Sequence, residues 1–296
     1  MEAHGVRESN SFRTSLLSRR ERAVRVFFRA QHNNLLPSSW AFYFSLYSED
    51  KSEHAELAQR LAAFTSYPVA VPNYRLTKPE TPIKHPAHAE DVLQFLHFLL
   101  DWEGPSDYVQ KPAYDPKKLY LVGHSCSAHM LASVYLSPSP TSPTMTFPGL
   151  ENLEPSERLL ESTQGIVFSE GIYDIDLLID SFPNYKSWFI ANTFGDLESY
   201  APFNTAAYGL RLGARHVHWL IMHSRKDTLV DLKQSEKFRE HLKKLTGIVE
   251  NAEGESGKVK WDDTLEEDHD EVLETEAYAR KVAEFVLEHH ARQSVI

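Results

Sequence analysis

The stretch Lys118-Leu-Tyr-Leu-Val-Gly123-His124-Ser125-Cys126-Ser127-Ala128-His129 carries an apolar run straight into Gly-x-Ser-x-small and then into a helical pattern. A strand that ends on such a turn and restarts as a helix is the setting of a nucleophile elbow. The turn is tight, so the residues two places either side of the serine must be small; here they are Gly123 and Ser127, and a second glycine, common in this pattern, is absent. A bare G-x-S-x-S would say little. With a strand at 119–122 and a helix at 126–135, Ser125 reads as a nucleophile rather than a chance turn serine.

Outward from this stretch the chain alternates short apolar runs with helical periodicity, the pattern of an α/β protein with a mostly parallel sheet flanked by helices. Strands are predicted at 23–28, 67–72, 119–122, 165–168, 216–222 and 258–261. Helices are predicted at 53–64, from Pro86 to about 102, and at 126–135, 231–245 and 271–291. Two stretches interrupt the alternation. Residues 137–148 (SPSPTSPTMTFP) read as a loop, and the aromatic stretch 173–208 reads as a small cap insertion over the sheet. The expected organisation is a polar lead at 1–22 followed by one domain over 23–296.

A serine of ordinary acidity needs a base, and the base an acid that orients it; on this kind of sheet they follow in the order Ser, Asp or Glu, His. The run Trp219-Leu-Ile-Met222 leads into His223-Ser224-Arg225-Lys226-Asp227, placing Asp227 beyond a strand's carboxyl end. Asp231 competes, but it stands where a helix N-cap would. His269 follows in an acidic loop (Glu266-Glu267-Asp268-His269-Asp270) just before the last helix, the expected position of the general base. The alternative is a surface histidine at a helix start. His289 and His290, at the other end of that helix, are assigned to its dipole. The backbone N–H of Cys126 is the expected oxyanion donor. Metal binding is not expected, because neither His216/His218 nor His85/His88 has a third ligand at suitable spacing.

The 296 residues are 42% hydrophobic and 25% charged, as in globular proteins, with a net charge of −11. Such an acidic chain repels phosphate backbones and anionic membranes, so neither nucleic acid nor a membrane is an expected partner. A single cysteine rules out an intrachain disulfide and fits a reducing compartment. There is no apolar leader. Glu2, Glu8 and Glu21 spoil the acid-poor character of a transit peptide, which makes a cytoplasmic location the default.

These motifs resemble the α/β-hydrolase superfamily, and within it the fungal kynurenine formamidase (arylformamidase) group and related carboxylesterases. Besides GHSCSAH, the resemblance rests on Asn73-Tyr-Arg75-Leu76, His85-Pro-Ala-His88-Ala-Glu-Asp91, Glu170-Gly-Ile-Tyr-Asp174, His223-Ser224 before Asp227, and Asp268-His269. It implies a Ser125-Asp227-His269 triad that hydrolyses N-formyl-L-kynurenine to formate and L-kynurenine without a cofactor. The partner would then be a small-molecule substrate, with a homodimer left open. Tyr185, Trp188 and Phe189, with Phe182, are candidates for the aryl pocket, and ordinary packing explains them equally well. Arg75 and Asp91 read as a structural ion pair. One motif departs from the family: His-Gly-Gly-x-Trp, which supplies the other half of the oxyanion hole, is missing, and Gln31-His-Asn-Asn-Leu-Leu-Pro-Ser-Ser-Trp40 stands in its place. A carboxylesterase acting on small acyl esters and a catalytically impaired protein of the same fold therefore stay open as alternatives.

Overall fold

A computed structural model describes residues 23–28, 51–78, 81–102, 114–138, 149–247 and 258–293. In chain order the elements are β1 (Ala23–Phe28), α1 (Ala55–Thr65), β2 (Val69–Ala70), α2 (Ala87–Asp101), β3 (Asp115–His124), α3 (Cys126–Tyr135) and β4 (Leu136–Ser137). There follow α4 (Glu157–Ser162), β5 (Thr163–Ser169), α5 (Ile175–Ser181), α6 (Ala191–Phe194), β6 (Gly209–Leu210), β7 (His218–Met222), α7 (Leu232–Leu245), β8 (Val259–Asp262) and α8 (Glu276–Gln293). Six strands form one sheet in the order β2-β1-β3-β5-β7-β8, and every pair in it is parallel. This is the α/β-hydrolase fold. β4 and β6 form a separate antiparallel ribbon.

The sheet is covered on both faces, which is why its central strands are unbroken apolar runs instead of alternating ones. Successive side chains point to opposite faces. Leu119 and Leu121 of β3, Ile166 and Phe168 of β5, and Trp219 and Ile221 of β7 join the core that includes α2, α3 and α7. Tyr120, Val122, Val167, Leu220 and Met222 join the opposite core with α1 and α8. The apolar stripe of α2 (Val92, Leu93, Leu96, Leu99, Leu100) is buried, as the sequence predicts, although Pro86 stands one place outside the helix. Burial of each such side chain is worth roughly 1.5–3 kcal/mol before entropy is charged against it. The predicted 271–291 helix is split: 271–274 form a single 3-10 turn and α8 begins at Glu276.

The segment read as a cap is built of short helices, α5, a π-helical turn at Lys186–Ile190 and α6, and its start is tied down by side-chain hydrogen bonds. Asn204 Oδ1 accepts the Ile175 N–H at 2.8 Å, and Gln234 Oε1 accepts the N–H groups of Tyr173 and Asp174 at 2.9 and 2.8 Å. The polar lead at 1–22 and most of the 137–148 loop lie outside the described residues. Among the described residues, no helix is long and apolar enough to cross a membrane.

Candidate active site

The carboxyl edge of the sheet collects the candidate groups because each strand ends there in a polar residue: Ser125 after β3, Glu170 after β5 and the Asp227 loop after β7. Ser125 has φ 55° and ψ −122°, a left-handed conformation that a side chain rarely adopts, and its N–H donates to the Ser169 carbonyl at 2.9 Å. A Cβ at Gly123 would come within 2.8–2.9 Å of the Ser127 carbonyl oxygen and the Ala128 backbone, so no larger residue fits there. Ser127 is fully buried, and its Oγ has no hydrogen-bonding partner among the described residues; it acts as a small residue. Cys126 opens α3, so its N–H belongs to the helix turn that carries the positive end of the dipole.

His269 is 1% exposed, despite its place in an acidic loop. Its Nδ1 lies 2.7 Å from Asp227 Oδ2. An ionised carboxylate only accepts, so Nδ1 carries the proton of this contact. Asp227 is held in turn by the N–H groups of Leu229 and Val230, which donate to Oδ1 at 2.8 and 2.9 Å. Asp268 joins the two loops: it accepts the His269 N–H at 2.8 Å and the Thr228 N–H and Oγ1–H at 3.1 and 2.9 Å. Burial works to raise the Asp268 carboxyl, but these donors outweigh it and leave it below its usual range. The His269 ring lies 4.6 Å from that of His124, the residue before Ser125.

Asp231 is not part of this cluster. It stands at the N-cap position of α7 but makes no side-chain cap; it accepts Ser181 Oγ–H at 2.6 Å and so ties α5 to α7, a long-range bond that capping preference does not anticipate. Arg75 and Asp91 form the expected ion pair, with Nε 2.8 Å from Oδ2 and the guanidinium held above its usual range by that carboxylate. The side chains of His289 and His290 and the Gln31–Trp40 segment lie outside the described residues.

Beside Cys126 a small apolar pocket is lined by His85, His88, His129, Ile172, Phe189 and Phe194, among others. Of the aromatic candidates, Phe189 lines it. Tyr185 and Trp188 pack on Phe189 at ring distances of 5.3 Å, and Tyr185 donates to the Leu229 carbonyl at 3.1 Å. Burial pushes His129 and His88 down to about 4 and His85 well below its ordinary value, so all three are neutral near pH 7. His129 Nδ1 faces the Ile172 carbonyl at 3.2 Å and must donate to it, leaving Nε2 a bare acceptor. The Nε2 atoms of His85 and His129 are buried without a hydrogen-bonding partner among the described residues.

Sequence reasoning quotes Glu170 only as part of a motif and gives it no role at the site. It directly follows β5, is 1% exposed, and places Oε2 3.4 Å from His269 Nδ1. Two signals could have found it: its place two residues past the strand predicted at 165–168, and its place at the head of the Glu170–Asp174 motif. Glu170, Asp227 and His269 bring ligand-type atoms within 4.8 Å of one another, as do His124, His269 and Asp270. In the first set the carboxylates already accept N–H groups, which accounts for the cluster without an ion.

Fold and site define an α/β-hydrolase-fold protein with a serine elbow and a buried Asp–His pair. More particularly, the chain belongs to the BD-FAE family, whose model matches residues 44–242. It is similar to a kynurenine formamidase of Scheffersomyces stipitis, 27% identical over 54% of this chain and 59% of that protein. A kynurenine formamidase of Debaryomyces hansenii is 27% identical over 66% of this chain and 72% of its own length. The match to the first of these thus spans little more than half of the relative. Among solved structures, an esterase of Pyrobaculum calidifontis superposes with a TM-score of 0.59 over 93% of this chain and 78% of that one, at 16% identity, a likeness of fold.

Proposed function

We propose that this chain is a serine hydrolase that cleaves N-formyl-L-kynurenine to formate and L-kynurenine. The observation that carries the reading is the 2.7 Å contact between His269 Nδ1 and Asp227, with the His269 ring against the residue preceding Ser125. In this mechanism His269 Nε2 takes the Ser125 hydroxyl proton as Oγ attacks the formyl carbon, and Asp227 stabilises the imidazolium that forms. The Cys126 N–H faces the developing oxyanion. The C–N bond then breaks as His269 returns the proton to the aryl amine, leaving a formyl-enzyme. Water, deprotonated by His269, attacks that ester and releases formate. An apolar pocket with neutral histidines suits an uncharged aryl group, and the two curated relatives are named as kynurenine formamidases.

The test is turnover by purified protein of N-formyl-L-kynurenine and of p-nitrophenyl acetate, with fluorophosphonate labelling alongside. Formamide hydrolysis that is lost in Ser125→Ala supports the reading. Ester hydrolysis alone makes the chain a carboxylesterase, and neither turnover nor labelling makes it an impaired member of the fold. The Gln31–Trp40 segment sets the expected rate: loss of one oxyanion donor costs about 100- to 1,000-fold. Grafting His-Gly-Gly-x-Trp there should then raise turnover.

A further inference from the structure

Glu170 is a buried carboxylate in an unusual backbone position. Its φ is +49°, and its N–H is tied to the Met222 carbonyl at 2.9 Å, so the chain spends strain to put this side chain under the sheet edge. Oε1 accepts the Ser224 N–H at 3.0 Å, which fixes the carboxylate. Oε2 then lies 3.4 Å from His269 Nδ1 and 3.8 Å from His124 Nε2. The proton on His269 Nδ1 therefore faces two carboxylates. Asp227, at 2.7 Å, takes the hydrogen bond; Glu170 is not aligned for one but is close enough to act through its charge.

The geometry points to Glu170 as a second acid of the His269 pair, a positioning residue that stabilises the imidazolium together with Asp227 and replaces it when Asp227 is removed. This inference rests on the Ser125–His269 reading above. Glu170 acts on the reacting atoms through His269 alone, so its loss lowers kcat and leaves KM in place. Oε2 lacks the alignment for a hydrogen bond to Nδ1 rather than the proximity, and a side chain with three rotatable bonds can turn towards Nδ1 once Asp227 is shortened.

The test is a double-mutant cycle in the full chain, with Ser125→Ala measured in parallel. Glu170→Gln keeps an acceptor for Ser224 and should lower kcat about 10-fold with KM within about twofold. Asp227→Ala should lower it only about 100-fold, because Glu170 takes over, and the double variant about 10,000-fold or more, well beyond the product of the two. If Glu170→Gln does not fold, Glu170→Asp, one methylene shorter, carries the same cycle. Additive losses, an unchanged kcat in the Glu170 variant, or a change confined to KM and thermal stability would overturn the second-acid role while leaving the triad standing. Full activity in Ser125→Ala would overturn both.

Discussion

Histidines stand in two opposite environments within this molecule. His269 sits between the carboxylates of Asp227 and Glu170, with its Nδ1 proton committed to them. His85, His88 and His129 crowd an apolar pocket beside Cys126, where burial holds all three neutral. The residue type is the same, and its surroundings decide what it can do. Flanking carboxylates prepare an imidazole to accept a proton and hold the resulting charge, whereas an apolar wall makes protonation costly and leaves a hydrogen-bonding surface for an uncharged ligand.

The largest effect expected on the charged side is that of Ser125→Ala. It should lower turnover by about 10⁵-fold, since nothing else at the elbow can attack, while the melting temperature stays within a degree or two because the side chain adds little packing. Retention of most activity, followed by steady-state kinetics, would move the nucleophile elsewhere and dissolve the contrast between the two histidine environments.

That elbow was legible in the sequence because its steric demands are local. Gly123 and the flanking strand and helix follow from one tight turn, and the parallel sheet follows from apolar runs buried on both faces. The environment of His269 was not legible. Its loop reads as an exposed acidic stretch; only Asp268 folding back on Thr228, forty residues earlier, shows that it is buried. Glu170 was hidden for the same reason, since its neighbours come from three different strand ends. The aromatic stretch was ambiguous in principle: Tyr185, Trp188 and Phe189 are alike in sequence, and only packing sets Phe189 on the pocket wall and the others behind it.

Next in size is Gly123→Ala, which attacks the elbow's geometry and spares its chemistry. The added Cβ meets backbone atoms at 2.8–2.9 Å, and backbone cannot rotate away as a side chain can. A loss of about 2–3 kcal/mol in denaturant unfolding is expected, together with reduced turnover as the Ser125 turn shifts. An unchanged midpoint would mean that strand and helix have room to part.

The neutral cluster should be visible as a pH dependence of stability. His88 and His129 bind a proton near pH 4 when folded and near 6.5 when unfolded. Between those values the unfolded chain holds more protons, so stability falls as pH is lowered through this window and is regained as it rises. Each such histidine contributes roughly 2 kcal/mol of destabilisation at pH 5 and almost none at pH 7.5. His129→Phe should therefore narrow the difference in melting temperature between pH 7.5 and 5. An equal difference in variant and parent would show that His129 is readily protonated where it stands, and the two environments would no longer be distinct.

The smallest effect concerns how the charged cluster is held. Asp268 accepts three donors, one from His269 and two from Thr228, so it ties the loop bearing His269 to the loop bearing Asp227. It touches neither Asp227 nor Ser125 in this network, and two of its three donors are backbone N–H groups that water could satisfy. Asp268→Ala should cost about 10-fold in kcat, equivalent to about 1.4 kcal/mol, with KM unchanged. Thr228→Val, which removes the hydroxyl but keeps the backbone donor, should cost less. Made together, the two should cost scarcely more than Asp268→Ala alone, because both break the same tie. Independent, additive losses would mean that the loops are aligned by other contacts, and that the Asp227–His269 distance follows from the sheet edge itself.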